Sequence, residues 1–490
     1  MVPRLHTFAL LLAAATALAG CGSDVARKRS VALAECRLPN LATAAQCGEL
    51  EVPENRAQPA GRKLKLFVAV LPANTVSPKE DPLVILAGGP GQAASSLAPF
   101  AARLGDIRRT RDIVLIDQRG TGRSSPLVCD AFKPQDDDAF DTDPGPRAKA
   151  CVAQLRAQGV DLAQYTTAAW IQDLDAMREA LGYDRWNLWG GSYGTRVAQE
   201  YTRQHPQHVR TMTLDGIAPP ALIITLDVWR TRAAALEAIF NACSASKACH
   251  AAHPDPQSLL ARVAADLGPS GRDVEFVDPR TGAPEKLHAT MDAVLAALQP
   301  LTYLPEMATL MPELLSLAAQ GHYGPLLAAN IALSGNLNDA MNAALHFSVT
   351  CTEDVPRIKA GEALRALDAL PVRSLAQRSI AVCEFWPRGA ASATLSTPLQ
   401  SAIPSLLISG GMDPVTPPAY GDIVARGLTN SRHVIAPGFG HIVTPHACGP
   451  RLLAAFVDTA DPDKLPPSCV TYFEKSVPPM VWSGRLEPRP

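Results

Sequence analysis

Trp186-Asn187-Leu188-Trp189-Gly190-Gly191-Ser192-Tyr193-Gly194-Thr195-Arg196 is the stretch whose reading decides the fold. Its centre is Gly-x-Ser-x-Gly, set between an apolar strand, Trp186 to Trp189, and a helical segment, Val197 to Gln204. Glycines at this spacing let a strand turn sharply into a helix and lift a serine hydroxyl above the end of a sheet. A bare Gly/Ser turn would need neither the strand before it nor the helix after it.

Working outward, short apolar runs suited to buried parallel strands recur at Leu83 to Leu86, Ile113 to Ile116 and Met212 to Leu214, and again at Ser405 to Ser409 and Val434 to Ile435. Glu49 to Pro53 and Leu64 to Leu71 read as opening strands. Ile171, Leu174, Met177 and Leu181 recur at helical spacing and stop at Gly182. Strand alternating with helix predicts an α/β fold with a doubly wound, mostly parallel sheet. Between residues 217 and 404 the pattern turns helical: Val228–Ala242, Pro256–Leu267, Ala289–Leu298, Leu310–Ala319, Pro325–Leu333 and Gly361–Leu370. The expected organisation is therefore a core in two parts, 36–216 and 405–490, with an inserted helical cap over 217–404.

The composition limits the function. In 490 residues, 45 Lys+Arg stand against 47 Asp+Glu, a net charge of −2, with the two signs interspersed. That leaves no basic field to draw in nucleic acid. At 47% hydrophobic the chain can bury a large core, and beyond the N-terminus it has no apolar run long enough to span a bilayer.

A serine nucleophile needs a base, and the base needs an orienting acid. Asp413 lies just past the strand Ser405 to Ser409, in Gly-Gly-Met-Asp-Pro-Val-Thr-Pro. His441 follows the strand at Val434, in Pro-Gly-Phe-Gly-His. Both would meet Ser192 at the carboxyl end of the sheet, where open α/β sheets place their sites. Asp215, which also ends a strand, is the rival acid. His446, His322 and His346 lack the setting of His441 and read as structural.

Residues 1–20 carry one cation, Arg4, and an apolar run from Phe8 to Ala19, as a secretory signal does. Leu18-Ala19-Gly20-Cys21 resembles the bacterial lipobox, which implies a lipid on Cys21, a tether over 21–35 and contact with a membrane only through that lipid. Gly22 after the cysteine favours the outer membrane. The other ten cysteines fall into neighbouring couples, Cys36/Cys47, Cys129/Cys151, Cys243/Cys249, Cys351/Cys383 and Cys448/Cys469. Sequential disulfides in an exporting route are expected, with connectivity left open. No Cys-x-x-Cys or zinc-spaced Cys/His run occurs, so no metal and no cofactor is expected.

Four motifs then carry a resemblance: Ala87-Gly-Gly-Pro-Gly91, Asp117-Gln-Arg-Gly-Thr-Gly-Arg-Ser124, Gly190-Gly-Ser-Tyr-Gly-Thr195 and Asp413-Pro-Val-Thr-Pro417. In this order they resemble the α/β-hydrolase serine peptidases of the prolyl iminopeptidase and tripeptidyl aminopeptidase branch, over about Cys47 to Cys469. Ala87 departs from the branch's His-Gly-Gly-Pro-Gly. The resemblance implies an α/β-hydrolase fold, peptide substrates cleaved from a free N-terminus, a Ser192–His441–Asp413 triad, and oxyanion donors at the Gly88 and Tyr193 amides. Asp117 and Arg119 read as braces for neighbouring loops. In that branch acidic cap residues hold the substrate amine, and Glu353 and Asp354 are the candidates here. An ester hydrolase on the same triad and a non-catalytic envelope binding protein remain as alternatives.

Overall fold

The computed structural model describes residues 29–133, 143–339, 341–359, 365 and 373–477. The signal segment, Cys21, most of the tether and most of the expected helix Gly361–Leu370 lie outside the described residues. Nine strands form one sheet: β1 (Ala34–Cys36), β2 (Ala45–Pro53), β3 (Lys63–Leu71), β4 (Leu83–Leu86), β5 (Ile113–Ile116), β6 (Trp186–Gly191), β7 (Val209–Asp215), β10 (Ser405–Gly410) and β11 (Ser431–Ala436). The remaining two, β8 (Arg272–Val277) and β9 (Pro284–Ala289), pair with each other.

The order in the large sheet is β1-β2-β3-β5-β4-β6-β7-β10-β11. The first four in that order pair antiparallel, and every pairing from β5 through β11 is parallel. Strand order reverses at β4, which lies between β5 and β6, so the loops leaving β4 and β6 diverge there. Such a switch point opens a crevice at the carboxyl ends of the strands.

The central strands are apolar on both faces because helices cover both. In β4, Val84 and Leu86 join one core cluster with Val114, Ile116 and Leu188, whereas Leu83 and Ile85 join another with Ile113, Leu115 and Trp189. Continuous apolar runs, rather than alternation, are the pattern of such doubly covered strands.

The insertion leaves after β7 and returns at β10, which hydrogen-bonds directly beside it, Ser405 against Met212. It builds its own core from residues such as Phe240, Val263, Leu298, Leu315 and Leu326. It is not wholly helical. The hairpin β8–β9 adds Val274 and Phe276 to that core while Arg272, Asp273, Glu275 and Val277 stay exposed. The helix expected over Ala289–Leu298 runs Met291–Tyr303, capped by the Thr290 side chain, which accepts from Ala293 N–H.

Five disulfides staple segments that are near in sequence: Cys36–Cys47, Cys129–Cys151, Cys243–Cys249, Cys351–Cys383 and Cys448–Cys469. Cys351–Cys383 fastens the helix Ala343–Glu353 to the turn that follows the helix Arg373–Ala381. Replacing both of its cysteines with serine is expected to cost about 2–4 kcal/mol, read as a lowered urea midpoint, through the unfolded-state entropy that the bridge removes.

Candidate active site

β6 ends at Gly191 and the helix Tyr193–Gln204 begins two residues later, so Ser192 alone makes the turn, at φ 55° and ψ −123°. A non-glycine residue there is strained and persists only where its surroundings hold it. They do so by close approach. A Cβ on Gly190 would lie 2.4 Å from the Gly194 carbonyl oxygen, and one on Gly194 would lie 2.1 Å from that of Leu86. The Ser192 N–H donates to the Asp215 carbonyl at 2.9 Å. The Tyr193 amide, first in its helix, has no intrahelical acceptor.

The loop leaving β4 meets this elbow. A Cβ on Gly88 would stand 3.1 Å from Ser192 Cβ. The Gly88 N–H is not bare, however: it donates to Gln92 Oε1 at 3.2 Å, and Gln92 Nε2 donates to Ser96 Oγ at 3.4 Å. An oxygen anion arriving at Gly88 has to compete with this side chain. Gln92 stands one residue past the Gly-Gly-Pro-Gly run, and nothing in its spacing marked it. The cap clasps the same loop, since Asn342 N–H donates to the Gly91 carbonyl at 2.9 Å.

Asp413 and His441 come together. His441 Nδ1 lies 2.8 Å from Asp413 Oδ2, and the two side chains are 8% and 0% exposed. Asp413 Oδ1 accepts the Val415 and Thr416 amides, both at 2.8 Å, and Oδ2 accepts the Thr416 hydroxyl at 2.8 Å. Burial alone would push this carboxyl up. The His441 partner and the two amides outweigh burial and hold it below the usual carboxylate range. Thr416, within Asp-Pro-Val-Thr-Pro but given no role from sequence, also lies 3.3 Å from His441 Nδ1. The imidazole rests over Gly216, where a Cβ would be 3.0 Å from His441 Cε1. Gly216 follows Asp215, the cross-strand partner of Gly191. The ring thus sits at the sheet's carboxyl edge beside the Ser192 elbow.

The rivals fall elsewhere. Asp215 is fully buried, and its carboxylate accepts the Val443 and Thr444 amides at 2.9 and 2.7 Å. Burial pushes its carboxyl up, and it braces the turn after His441 rather than the imidazole. His346 bonds the backbone of Pro90 and is pushed down chiefly by burial. Asp117 and Arg119 are braces: Asp117 accepts from Ser95 and Arg123, and Arg119 grips Asp173 through Nε and Nη2 at 2.6 and 2.8 Å.

Glu353 and Asp354 need correction. Neither offers a carboxylate at an open mouth. Glu353 is 2% exposed and accepts the Thr167 amide and hydroxyl at 2.6 and 2.7 Å, while the Thr167 hydroxyl contacts Tyr193 Oη at 2.7 Å. Asp354 is 0% exposed and holds Arg196 and Arg357 at 2.9 and 2.8 Å. Both lie against the nucleophile helix with their oxygens used internally. Sequence offers this acidic pair as free carboxylates of the cap, and the cationic Arg196 that occupies Asp354 is distant in the chain.

Among the described residues, Asp175, His205 and His208 bring three potential metal ligands within 4.8 Å of one another. Asp175 Oδ1 already accepts from Arg178, Tyr201 and His208, at the end of the helix Tyr193–Gln204 remote from Ser192. The guanidinium in that set opposes a cation.

Comparison with known proteins agrees with this fold. The family model for the alpha/beta hydrolase fold matches residues 81–269, and that for TAP-like protein matches residues 371–469. Serine protease Hip1 of Mycobacterium tuberculosis is 27% identical over 425 residues, 79% of this chain and 80% of its own. Tripeptidyl aminopeptidase of Streptomyces coelicolor is 32% identical over 200 residues, 37% of each chain. Probable proline iminopeptidase of the same organism is 34% identical over 142 residues, 29% of this chain and 34% of its own.

Burial raises the Glu353 carboxyl from 4.5 to about 7. Between those values the folded chain keeps a proton that the unfolded chain releases, so this group's contribution to stability falls as pH rises through that window. Glu353→Gln keeps an acceptor for the Thr167 amide and removes the titration. Its Tm relative to wild type is expected to be a few degrees higher at pH 8 than at pH 5, checked by calorimetry.

Proposed function

We propose that this chain, an α/β-hydrolase in fold, is a serine peptidase that works from free N-termini, an aminopeptidase releasing short peptides or single residues. The observation that carries the reading is the Asp413–His441 pair at 2.8 Å, set beside a serine on a strained elbow. The likeness to Hip1, a serine protease, over most of both chains supports peptide chemistry, and the two aminopeptidase relatives support its direction.

The mechanism follows from the placement of donors and acceptors. Ser192 Oγ attacks the scissile carbonyl while His441 Nε2 takes its proton. Asp413 and Thr416 keep the other ring nitrogen oriented, and the Asp413 charge stabilises the imidazolium. The Tyr193 amide, with that of Gly88 once Gln92 yields it, receives the developing oxyanion; losing one such donor typically costs about 10²–10³ in rate. His441 returns the proton to the leaving amine, and water then repeats the sequence on the acyl-enzyme.

Export belongs to the same proposal. The signal-like residues 1–20 and the five disulfides fit a chain folded in an oxidising compartment. A lipid on Cys21 would hold the enzyme at a membrane, the outer one by the residue at Gly22. No helix among the described residues is long and apolar enough to cross one.

A fluorophosphonate probe should label wild type and not Ser192→Ala. Asp413→Asn should lower kcat by about 10⁴ by favouring the wrong imidazole tautomer. Asp215→Asn should mainly lower stability, by about 1–3 kcal/mol, through its two amide partners. Steady-state kinetics on aminoacyl and tripeptidyl anilides, free and N-acetylated, provide the check. Equal cleavage of the two forms removes the aminopeptidase reading, and hydrolysis of nitrophenyl esters alone makes the chain an ester hydrolase.

A further inference from the structure

The cap helices Ile224–Ala245 and Met291–Tyr303 line an open pocket of about 240 Å³. Its walls are mostly apolar, with Trp229, Leu236 and Phe240 from the first helix and Leu295 and Leu298 from the second. Trp229 to Phe240 is three helical turns, so this lining extends about 16 Å along the helix. Near the end marked by Thr302 stands one cation, Arg232.

Arg232 is placed by aromatic rings rather than by an acid. Its guanidinium carbon lies 5.2 Å from the Trp229 ring centre and 5.9 Å from that of Tyr303, and Nη2 donates to Tyr303 Oη at 3.1 Å. Its Nε is buried without a hydrogen-bond partner. Arg56 and Arg196 share that feature, but each holds a carboxylate through its other nitrogens, Asp173 and Asp354. Among the described residues no carboxylate pairs with Arg232, although Glu237 lines the same cavity.

Tyr303 connects this cation to the catalytic centre. Its ring meets the His441 ring edge-on at 5.4 Å, and its carbonyl accepts the His441 amide at 3.3 Å. Arg232 is therefore no farther from the imidazole than those two ring separations laid end to end. On another side its charge reaches His346, which burial first and Arg232 after it push down, and whose ring bonds the Pro90 backbone of the oxyanion loop.

We propose that Arg232 binds the terminal carboxylate of the leaving group, while the apolar cavity takes that group's side chain. This rests on the peptidase reading above and names its substrate class: short peptides whose departing part is one or two residues long and apolar. The leaving nitrogen has to come within hydrogen-bond reach of His441. Each residue adds at most about 3.5 Å, so over a separation this short one or two residues already bring the chain end to the guanidinium. A carboxylate would pair with the outer guanidinium nitrogens, since Nε is closed off, and a planar fork suits it better than an ammonium would.

The test uses matched peptides ending in Leu, with a free or an amidated C-terminus, and release of Leu or Leu-amide read by mass spectrometry. Amidation should lower wild-type kcat/KM tenfold or more, chiefly through KM, as expected for losing a hydrogen bond to a charged group. In Arg232→Gln the free-acid peptide should fall by a similar factor, with amidation then costing less than twofold. Arg232→Lys should restore part of the discrimination. The wild-type comparison stands even if a variant misfolds. Equal cleavage of acid and amide by wild type, or discrimination undiminished in Arg232→Gln, overturns the proposal while anilide hydrolysis keeps the peptidase reading. Failure to cleave any peptide or anilide removes both.

Discussion

The contact between the nucleophile helix and the end of β4 is the constraint on which the rest of the site depends. Gly194 lies so near the Leu86 carbonyl that a Cβ would stand 2.1 Å from it, and Gly190 is equally tight against Gly194. Nothing larger than hydrogen fits, so the helix starts directly over the sheet and Ser192 is forced into a left-handed turn. The same approach brings the loop that follows Leu86 within reach of the serine. The proposed nucleophile and oxyanion donor are thus located by one steric condition.

Buried charge secures the cap to that arrangement. Arg196, one turn along the nucleophile helix, holds Asp354 at the end of the helix Ala343–Glu353, and Asp354 also holds Arg357. Beside them Glu353 bonds Thr167, which touches Tyr193 Oη. Pairs this deeply buried add little net stability compared with an apolar substitute, but breaking one leaves an uncompensated charge. Their effect is to fix one seating of the cap's returning helix on the core.

Much of this was readable in the chain because the deciding features are local. A strand, two obligatory glycines and a helix lie within a few residues of Ser192, and Asp413 and His441 each follow an apolar strand closely. Long-range partners were the difficulty. Glu353 and Asp354 read in sequence as acids free to hold a substrate amine because Arg196 and Thr167, which occupy them, stand more than a hundred residues away. The hairpin β8–β9 is hard to see in sequence since β8 turns only Val274 and Phe276 inward, too few to declare a period of two. Gln92 and Thr416 bond Gly88 and Asp413 within their own loops, and it is the loop's turn, which spacing does not encode, that points each side chain inward.

The double contact between Tyr303 and His441 has an evolutionary side. The final residue of a cap helix supplies the carbonyl that receives the histidine's amide and the ring against which its imidazole rests. That helix also walls the cavity, so selection for a new diet acts on a segment that steadies the base. Gains in taste would then arrive coupled to changes in turnover. Lineages of such an enzyme should diversify fastest on the opposite wall, where Leu236 and Phe240 can vary without disturbing the imidazole.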